Sequence, residues 1–272
     1  MTDSPSQPEA DRERIDSRTQ HTVVRERYSA IAEDRCETGT GCCSDPTADD
    51  AYVEALGYDA SDRQSVPRKA NMGLGCGNPL ATDTLEPGET VLDLGSGGGF
   101  DCFLAASEVG PAGSVIGVDM TPEMIELARE NAATNDYSTV EFRLGEIEHL
   151  PVADKSVDVI ISNCVINLSP DKKRVFEEAA RVLRPGGRLA ISDVVATADL
   201  PDEIRDDPDK LAGCVAGAAT IDDYRAMLDA TGFVEISIEP KDDSDEFIRE
   251  WSEDYSLEDY LVSAIIEAHK PD

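Results

Sequence analysis

The chain has 272 residues, 57 of them acidic and 24 basic, for a formal charge of −33. Apolar residues make up 40%, enough for one sizeable α/β core with appended segments. A negative charge of that size argues against nucleic acid and anionic membrane as partners. The acids run through the whole sequence, and Lys stands at seven positions against seventeen for Arg. Such a shell repels itself unless salt screens it over a few Å, so the reading is a protein suited to a high-salt cytoplasm. MTDSPSQPEADRER, at the start, has no apolar run, so no secretory signal is expected. No stretch reaches the ~18 apolar residues of a membrane helix. The seven cysteines are then expected to be reduced. Without C-x-x-C pairs they suggest neither a zinc ribbon nor a disulfide scaffold, which leaves reactive or ligand roles.

Residues 1–20 are polar and charged and are expected to be disordered. A short helix is expected over 22–35. CETGTGCCSDP then reads as a loop carrying Cys36, Cys42 and Cys43. A polar stretch and the Gly-rich ANMGLGCGNPLA follow. From there strands and helices alternate. Strands are expected at 89–95, 114–120, 140–146, 157–164 and over RLAISDVV. The first helix runs through GFDCFLAASEVG to Gly110-Pro111. The second opens on Thr121-Pro122-Glu123, which offers an N-cap, a proline at the first helical position and an acid in the first turn. Ser169-Pro170-Asp171 repeats that pattern, and the third helix is expected to end at Gly186-Gly187. Near-continuous apolar strands joined by helices imply a parallel sheet covered on both faces. FVEISIEP and YLVSAIIEAHK fit an antiparallel edge hairpin. LPDEIRDDPDKLAGCVAGAAT reads as a long irregular insertion beside the strand ends, suited to a lid. The division expected is an N-terminal extension over 1–70, a ligand-binding core over 71–198, and a lid with the terminal hairpin over 199–272.

VLDLGSGGGFD follows a strand and opens a helix. Its glycines permit a tight turn and a close approach of backbone to ligand. Asp119 follows about 20 residues later at the next strand end, where it can accept from ribose hydroxyls. The spacing Gly95-x-Gly97-x-Gly99 after Asp93 departs from the dinucleotide fingerprint G-x-G-x-x-G. It resembles the motif of class I S-adenosylmethionine methyltransferases, which have a Rossmann-like α/β sheet. Sheets of this kind bind ligands beyond the carboxyl ends of their strands, where Asp93, Asp119, Glu148, Asn163 and Cys164 fall.

Cys76 in GLGCGNP, Cys164 in SNCVINL and Cys214 in AGCVAGA each sit beside small residues in loops or at a strand end. They are candidates for soft-ion ligands, with packing as small hydrophobes the alternative for each. Cys102, within a helix pattern, is read as packing. His21, His149 and His269 lie in contexts that suggest no catalytic dyad.

With GVDMTPEMIELARENA, GEIEHLPV and SNCVINLSPDKKRVFEEAARVLRPGGRLAISDVV added, the chain resembles the arsenite S-adenosylmethionine methyltransferases over about residues 70 to 220. That resemblance implies methyl transfer to trivalent arsenic held by Cys164 and Cys214, with Cys76 joining in binding or redox. It implies that Cys42 or Cys43 pairs with Cys76 in a disulfide step, regenerated by thioredoxin or a small thiol. It also implies that Asp93, Gly95, Ser96 and Gly97 hold the methionine end of the donor, Asp119 and Met120 the ribose side, Ile147 and Glu148 the adenine, and Asn163 the sulfonium region. Leu74 departs from relatives with a tyrosine there. The expected partners are a small metalloid substrate and a thiol reductant, for a cytoplasmic monomer. Rival readings are a methyltransferase of another small acceptor and a thiol-based metalloid-binding protein that is no enzyme.

Overall fold

The computed structural model describes residues 16–38, 46–81, 85–205, 207, 210, 213–252 and 254–272, the side chains of 34–38 and 46–50 excepted. Its centre is one seven-stranded sheet. The strands are β1 Thr90–Leu94, β2 Ser114–Asp119, β3 Val140–Leu144, β4 Val157–Asn163, β5 Leu183–Ala196, β6 Val234–Pro240 and β7 Leu261–His269. They lie in the order β3-β2-β1-β4-β5-β7-β6. β1 to β5 pair in parallel, and β7 runs antiparallel between β5 and β6. This is the expected class I methyltransferase architecture with its antiparallel edge. The chain winds outward in one direction from β1 to β3 and in the other from β4. The carboxyl ends of β1 and β4 therefore flank a topological switch point, where such sheets open a ligand crevice.

Alternating strand residues build two cores, one on each face. Val91, Val115, Val159 and Ile161 pack on one side with Phe103 of α4 (Phe100–Val109). Leu92, Leu94 and Ile160 pack on the other with Phe176 of α6 (Lys172–Val182) and with Tyr224. α5 (Pro122–Thr134) begins at Thr121 as expected, but no side-chain capping bond forms there. Instead the Thr121 N–H donates to Asp119 Oδ1 at 2.8 Å. α6 is capped by Asp171, whose side chain accepts from the Arg174 N–H.

Several expectations are corrected. α1 (Ser17–Thr38) starts well before residue 22, so 17–20 are helical. Asp16 begins it by accepting from the N–H groups of Arg18 and Thr19. The stretch after Cys43 contains α2 (Pro46–Ala55) and α3 (Ala60–Ser65), the latter closed by a capping box between Asp59 and Asp62. α6 ends at Val182, not at the glycine pair. Pro185 disfavours helix at the residue before it, and Leu183 already pairs with Val157 in the sheet. A helix over Ile221–Ala230, capped by Thr220 and Asp223, follows the irregular insertion. Within that insertion Asp202–Arg205 is helical. Among the described residues no helix is long and apolar enough to cross a membrane.

Candidate functional site

A cleft of about 410 Å³ opens at the switch point. Its walls include Asp93, Gly95, Ser96, Gly97, Asp119, Met120, Ile147, Glu148, Asn163, Cys164 and Cys214. The structure thus gathers the sequence-derived site residues into one cavity, with Cys76 as the exception among those described. Cys76 is fully buried just behind the wall. Cys42 and Cys43 lie outside the described residues.

One half of the cleft is shaped by backbone. The Gly95 and Ser96 N–H groups donate to the Val118 carbonyl at 2.8 and 3.0 Å, pinning the loop to the end of β2. Gly95 has φ 70°, and a Cβ there would lie 2.4 Å from Val165 Cγ2. Gly97 has φ 49°, and a Cβ there would meet nothing within 4 Å. The Asp119 carboxylate accepts from the N–H of Gly97 at 3.0 Å and of Thr121 at 2.8 Å. Burial pushes its pKa up, against the pull of those two donors. Ser96 is buried, and its hydroxyl has no partner within the protein. An orphaned hydroxyl in a cleft wall costs stability unless a ligand takes it up.

At the far end Glu148 is buried and accepts from the Ser169 hydroxyl. His21 Nε2 of α1 lies 3.2 Å from the same carboxylate. α1 is tied down further by Gln20, whose Nε2 donates to the Leu168 carbonyl at 2.9 Å. His21 gave no signal in the sequence, because Glu148 is 127 positions away. The structure makes it part of the cleft wall.

The other half is built from thiols. Cys164 follows the last residue of β4 in a left-handed conformation, φ 58°, and Cys214 adopts φ 65°. Such backbone is unfavourable for a residue with a side chain, and it recurs where a site demands a fixed direction. The Cys214 thiol donates to the Cys164 carbonyl at 2.7 Å. The Cys164 N–H donates to the Ser192 carbonyl at 2.8 Å, locking this turn to β5. Burial raises the Cys164 thiol well above its usual pKa, reinforced by its thiol neighbours Cys214 and Cys76. Burial also pushes Cys76 up to about 11. Both are thus neutral thiols near pH 7, inert until a ligand replaces the proton.

Asn163 explains the G-C-G pattern. Its Oδ1 accepts from the Cys76 N–H at 3.1 Å, and its Nδ2 donates to the Gly77 carbonyl at 2.8 Å. A Cβ on Gly75 would lie 2.8 Å from this amide, and one on Gly77 would lie 2.1 Å from Ser192 Oγ. The loop can close over the amide only without side chains on either flank. Asn163 was expected near the sulfonium; it lines the cleft and also clamps the Cys76 loop. Tyr58 and Asp101, unnoticed in the sequence, orient it. The Tyr58 hydroxyl donates to Asp101 Oδ1 at 2.6 Å, and Asn163 Nδ2 donates to the Tyr58 oxygen at 2.9 Å. Burial pushes Asp101 up to about 6, against these donors. Cys102 packs at the core as expected, and its thiol lies 3.2 Å from Asp93 Oδ2. Burial and the nearby Asp101 charge drive the Asp93 carboxyl well above the usual range.

The cleft can therefore seat an elongated polar ligand against the glycine loop, with its inner end facing thiols. Residues 85–232 match a family described as a methyltransferase domain. The chain is 63% identical over 259 residues to an arsenite methyltransferase of Halobacterium salinarum, across 92% of this chain and 66% of that relative. It is 40% identical to an arsenite methyltransferase of Aquipseudomonas alcaligenes, across 79% of this chain and 62% of the relative. The chain thus spans about two thirds or less of the length of these curated relatives. Among solved structures it resembles an arsenic(III) S-adenosylmethionine methyltransferase from Chlamydomonas reinhardtii, at 35% identity and a TM-score of 0.60. That match covers 84% of this chain and 74% of the other.

Proposed function

This chain belongs to the arsenite S-adenosylmethionine methyltransferase family, and on that footing we propose that it transfers methyl groups from S-adenosylmethionine to thiolate-bound trivalent arsenic. One observation carries the proposal. Cys164 and Cys214, with Cys76 behind them, converge at the inner end of a cleft whose other end is a glycine loop and an acid.

The cleft fits the donor. The unpartnered Ser96 hydroxyl, the open space over Gly97 and the bare backbone of the turn would hold its methionine end beside Asp93 and Gly95. Asp119 keeps free lone pairs for the ribose hydroxyls although each oxygen already accepts one N–H. Met120 would pack beside it, and Ile147 and Glu148 would face the base. When bound, S-adenosylmethionine supplies an electrophilic methyl group, which the lone pair of thiolate-held arsenic accepts.

The thiols do the rest. Each S–H condenses with an As–OH group, forming an As–S bond and releasing water, so no external base is needed. That condensation suits Cys76 and Cys164, whose thiols burial holds neutral. Sulfur is the ligand that soft trivalent arsenic prefers, and pyramidal coordination leaves its lone pair free. Taking up a methyl group raises arsenic formally to the pentavalent state. Two electrons return to it when two thiols become a disulfide, in which Cys76 would pair with Cys42 or Cys43. Thioredoxin or a small thiol would then reduce that disulfide. The acidic composition fits a salt-rich cytoplasm, the setting in which arsenic detoxification by a monomer of this kind would operate. The glycine loop and β1–β5 would form the donor core over 71–198. The extension over 1–70 would contribute α1, held through His21 and Gln20, and 199–272 the arsenic-site lid and the terminal hairpin.

The test is arsenic speciation by chromatography with mass detection. Purified protein is incubated in molar KCl with arsenite, S-adenosylmethionine and a thiol reductant, and methylated arsenic is expected. Folded, donor-binding protein that yields none would point to another small acceptor. Absence of donor binding would leave a metalloid-sequestering protein.

A further inference from the structure

No motif in the sequence marks Asp193, and the proposed methyl transfer needs nothing from it. Yet Cys76 Sγ, Cys164 Sγ and a carboxylate oxygen of Asp193 all lie within 4.8 Å of one another, and all three residues are buried. We propose that these three form a site for a thiophilic divalent cation, Zn2+ or Cd2+, that competes with arsenic for the two shared thiols.

The donor chemistry separates the two ligands. Trivalent arsenic is served by three sulfurs, which Cys76, Cys164 and Cys214 offer. A borderline divalent cation accepts sulfur and carboxylate together, which Cys76, Cys164 and Asp193 offer. The two triads share two cysteines and differ in the third ligand. Two sulfurs on one tetrahedral zinc sit roughly 3.8 Å apart, given Zn–S bonds of about 2.3 Å. The observed spacing therefore needs a closure of about 1 Å or less.

Asp193 is also prepared as a ligating carboxylate would be. Its Oδ1 accepts from Asn167 Nδ2 at 2.9 Å and from the Val194 N–H at 2.8 Å. Longer contacts reach Oδ2 from the Tyr224 hydroxyl at 3.3 Å and the Asn167 N–H at 3.4 Å. Outer hydrogen bonds of this type fix the direction of a metal-binding carboxylate. Lys172, half-buried nearby, offsets part of the charge left when two thiolates and a carboxylate meet one dication. Cys164 lines the cleft and gives the ion an entry path, with the fourth position left to water. Binding breaks two S–H bonds, forms two metal–sulfur bonds and one metal–oxygen bond, and releases the thiol protons to solvent. Nothing is oxidised.

The experiment titrates reduced, metal-free full-length protein with CdCl2 and follows the ultraviolet sulfur-to-cadmium charge-transfer band. A parallel titration measures arsenite retention. Asp193→Asn should weaken cadmium binding at least about tenfold and change arsenite retention far less. Cys214→Ser should do the reverse, losing arsenite while cadmium stays. Cadmium NMR on the unmutated protein, which depends on no variant folding, should report a shell of two sulfurs with oxygen. A shell of three or four sulfurs, equal cadmium affinity in Asp193→Asn, or joint loss of both ligands in Cys214→Ser would overturn the proposal. The site rests on ligand geometry alone. Cadmium binding without arsenic methylation would therefore sink the arsenic-methylation reading and leave this site standing.

Discussion

The two halves of the cleft are built by opposite means. The donor half is local. Asp93 to Asp119 is one strand–turn–helix–strand unit, and its polar groups are backbone N–H and a few short side chains. The thiol half is assembled from three distant segments, and 50 residues separate the partners of its shortest thiol contact. Its backbone is left-handed at two cysteines, and burial keeps the Cys76 and Cys164 thiols neutral. A preformed backbone cradle can wait for ligand at little cost, because its Gly95, Ser96 and Gly97 N–H groups are already satisfied, and the cost is confined to the unpartnered Ser96 hydroxyl. A thiol cluster must instead be held in place by other polar groups, here the half-buried Asn163 with the buried Asp101 and Tyr58.

This contrast predicts that damage to one half leaves the other working. Cys164→Ser and Cys214→Ser should each cut arsenic methylation by a thousandfold or more, about 4 kcal/mol of barrier. Donor affinity by calorimetry should stay within about threefold, less than 1 kcal/mol. A variant that methylates arsenite and methylarsenite at the full rate would break the division. Gly75→Ala should come next. It places a side chain at φ 109° and against the Asn163 amide, for an expected loss of about 3 kcal/mol in chemical denaturation. Arsenite retention should fall while donor binding survives. Asp119→Ala acts on the other half and should weaken donor binding by about 2 kcal/mol, the scale of a lost buried hydrogen bond. An unchanged dissociation constant would remove Asp119 from the donor site.

The smallest effect concerns pH. Asp101 is held protonated up to about 6 by burial, above an unfolded carboxylate near 4. Its neutral form therefore favours the folded state below about pH 4, and that contribution is lost as pH rises through about 6. Asp101→Asn cannot ionise, so its melting temperature should fall less between those values than that of the unmutated protein. The difference should be on the order of 1 kcal/mol, since the surroundings relax around the ionised acid. Equal slopes in molar salt would show that Asp101 is not the titrating group.

Much of the donor half was legible. Glycines at fixed offsets after an apolar run, and an acid at the next strand end, report local backbone geometry that any sequence reading can reach. The cysteines were legible as residue types, not as neighbours. α2 and α3 were missed because their sequences are polar and short, although the Asp59/Asp62 capping box was there to be read. α6 was drawn too long because its glycine pair looked like a stop, whereas pairing of Leu183 with Val157 ended it sooner. His21 and Asp193 carried no local signal at all.

By itself, then, the sequence determined the alternation of strands and helices, the turn at Gly95–Gly99, the acidic surface and the supply of thiols. Each of these depends on residues close together in the chain, where period, propensity and φ preference act directly. The tertiary structure alone decided which groups meet. Crossing the sheet at the switch point sets Cys164 against Cys214 and Ser192, Asn163 against the Cys76 loop, and Asp193 beside two thiols. Those contacts join segments far apart in sequence. Their energies come from burial, which exists only once the sheet has closed and its helices have covered it.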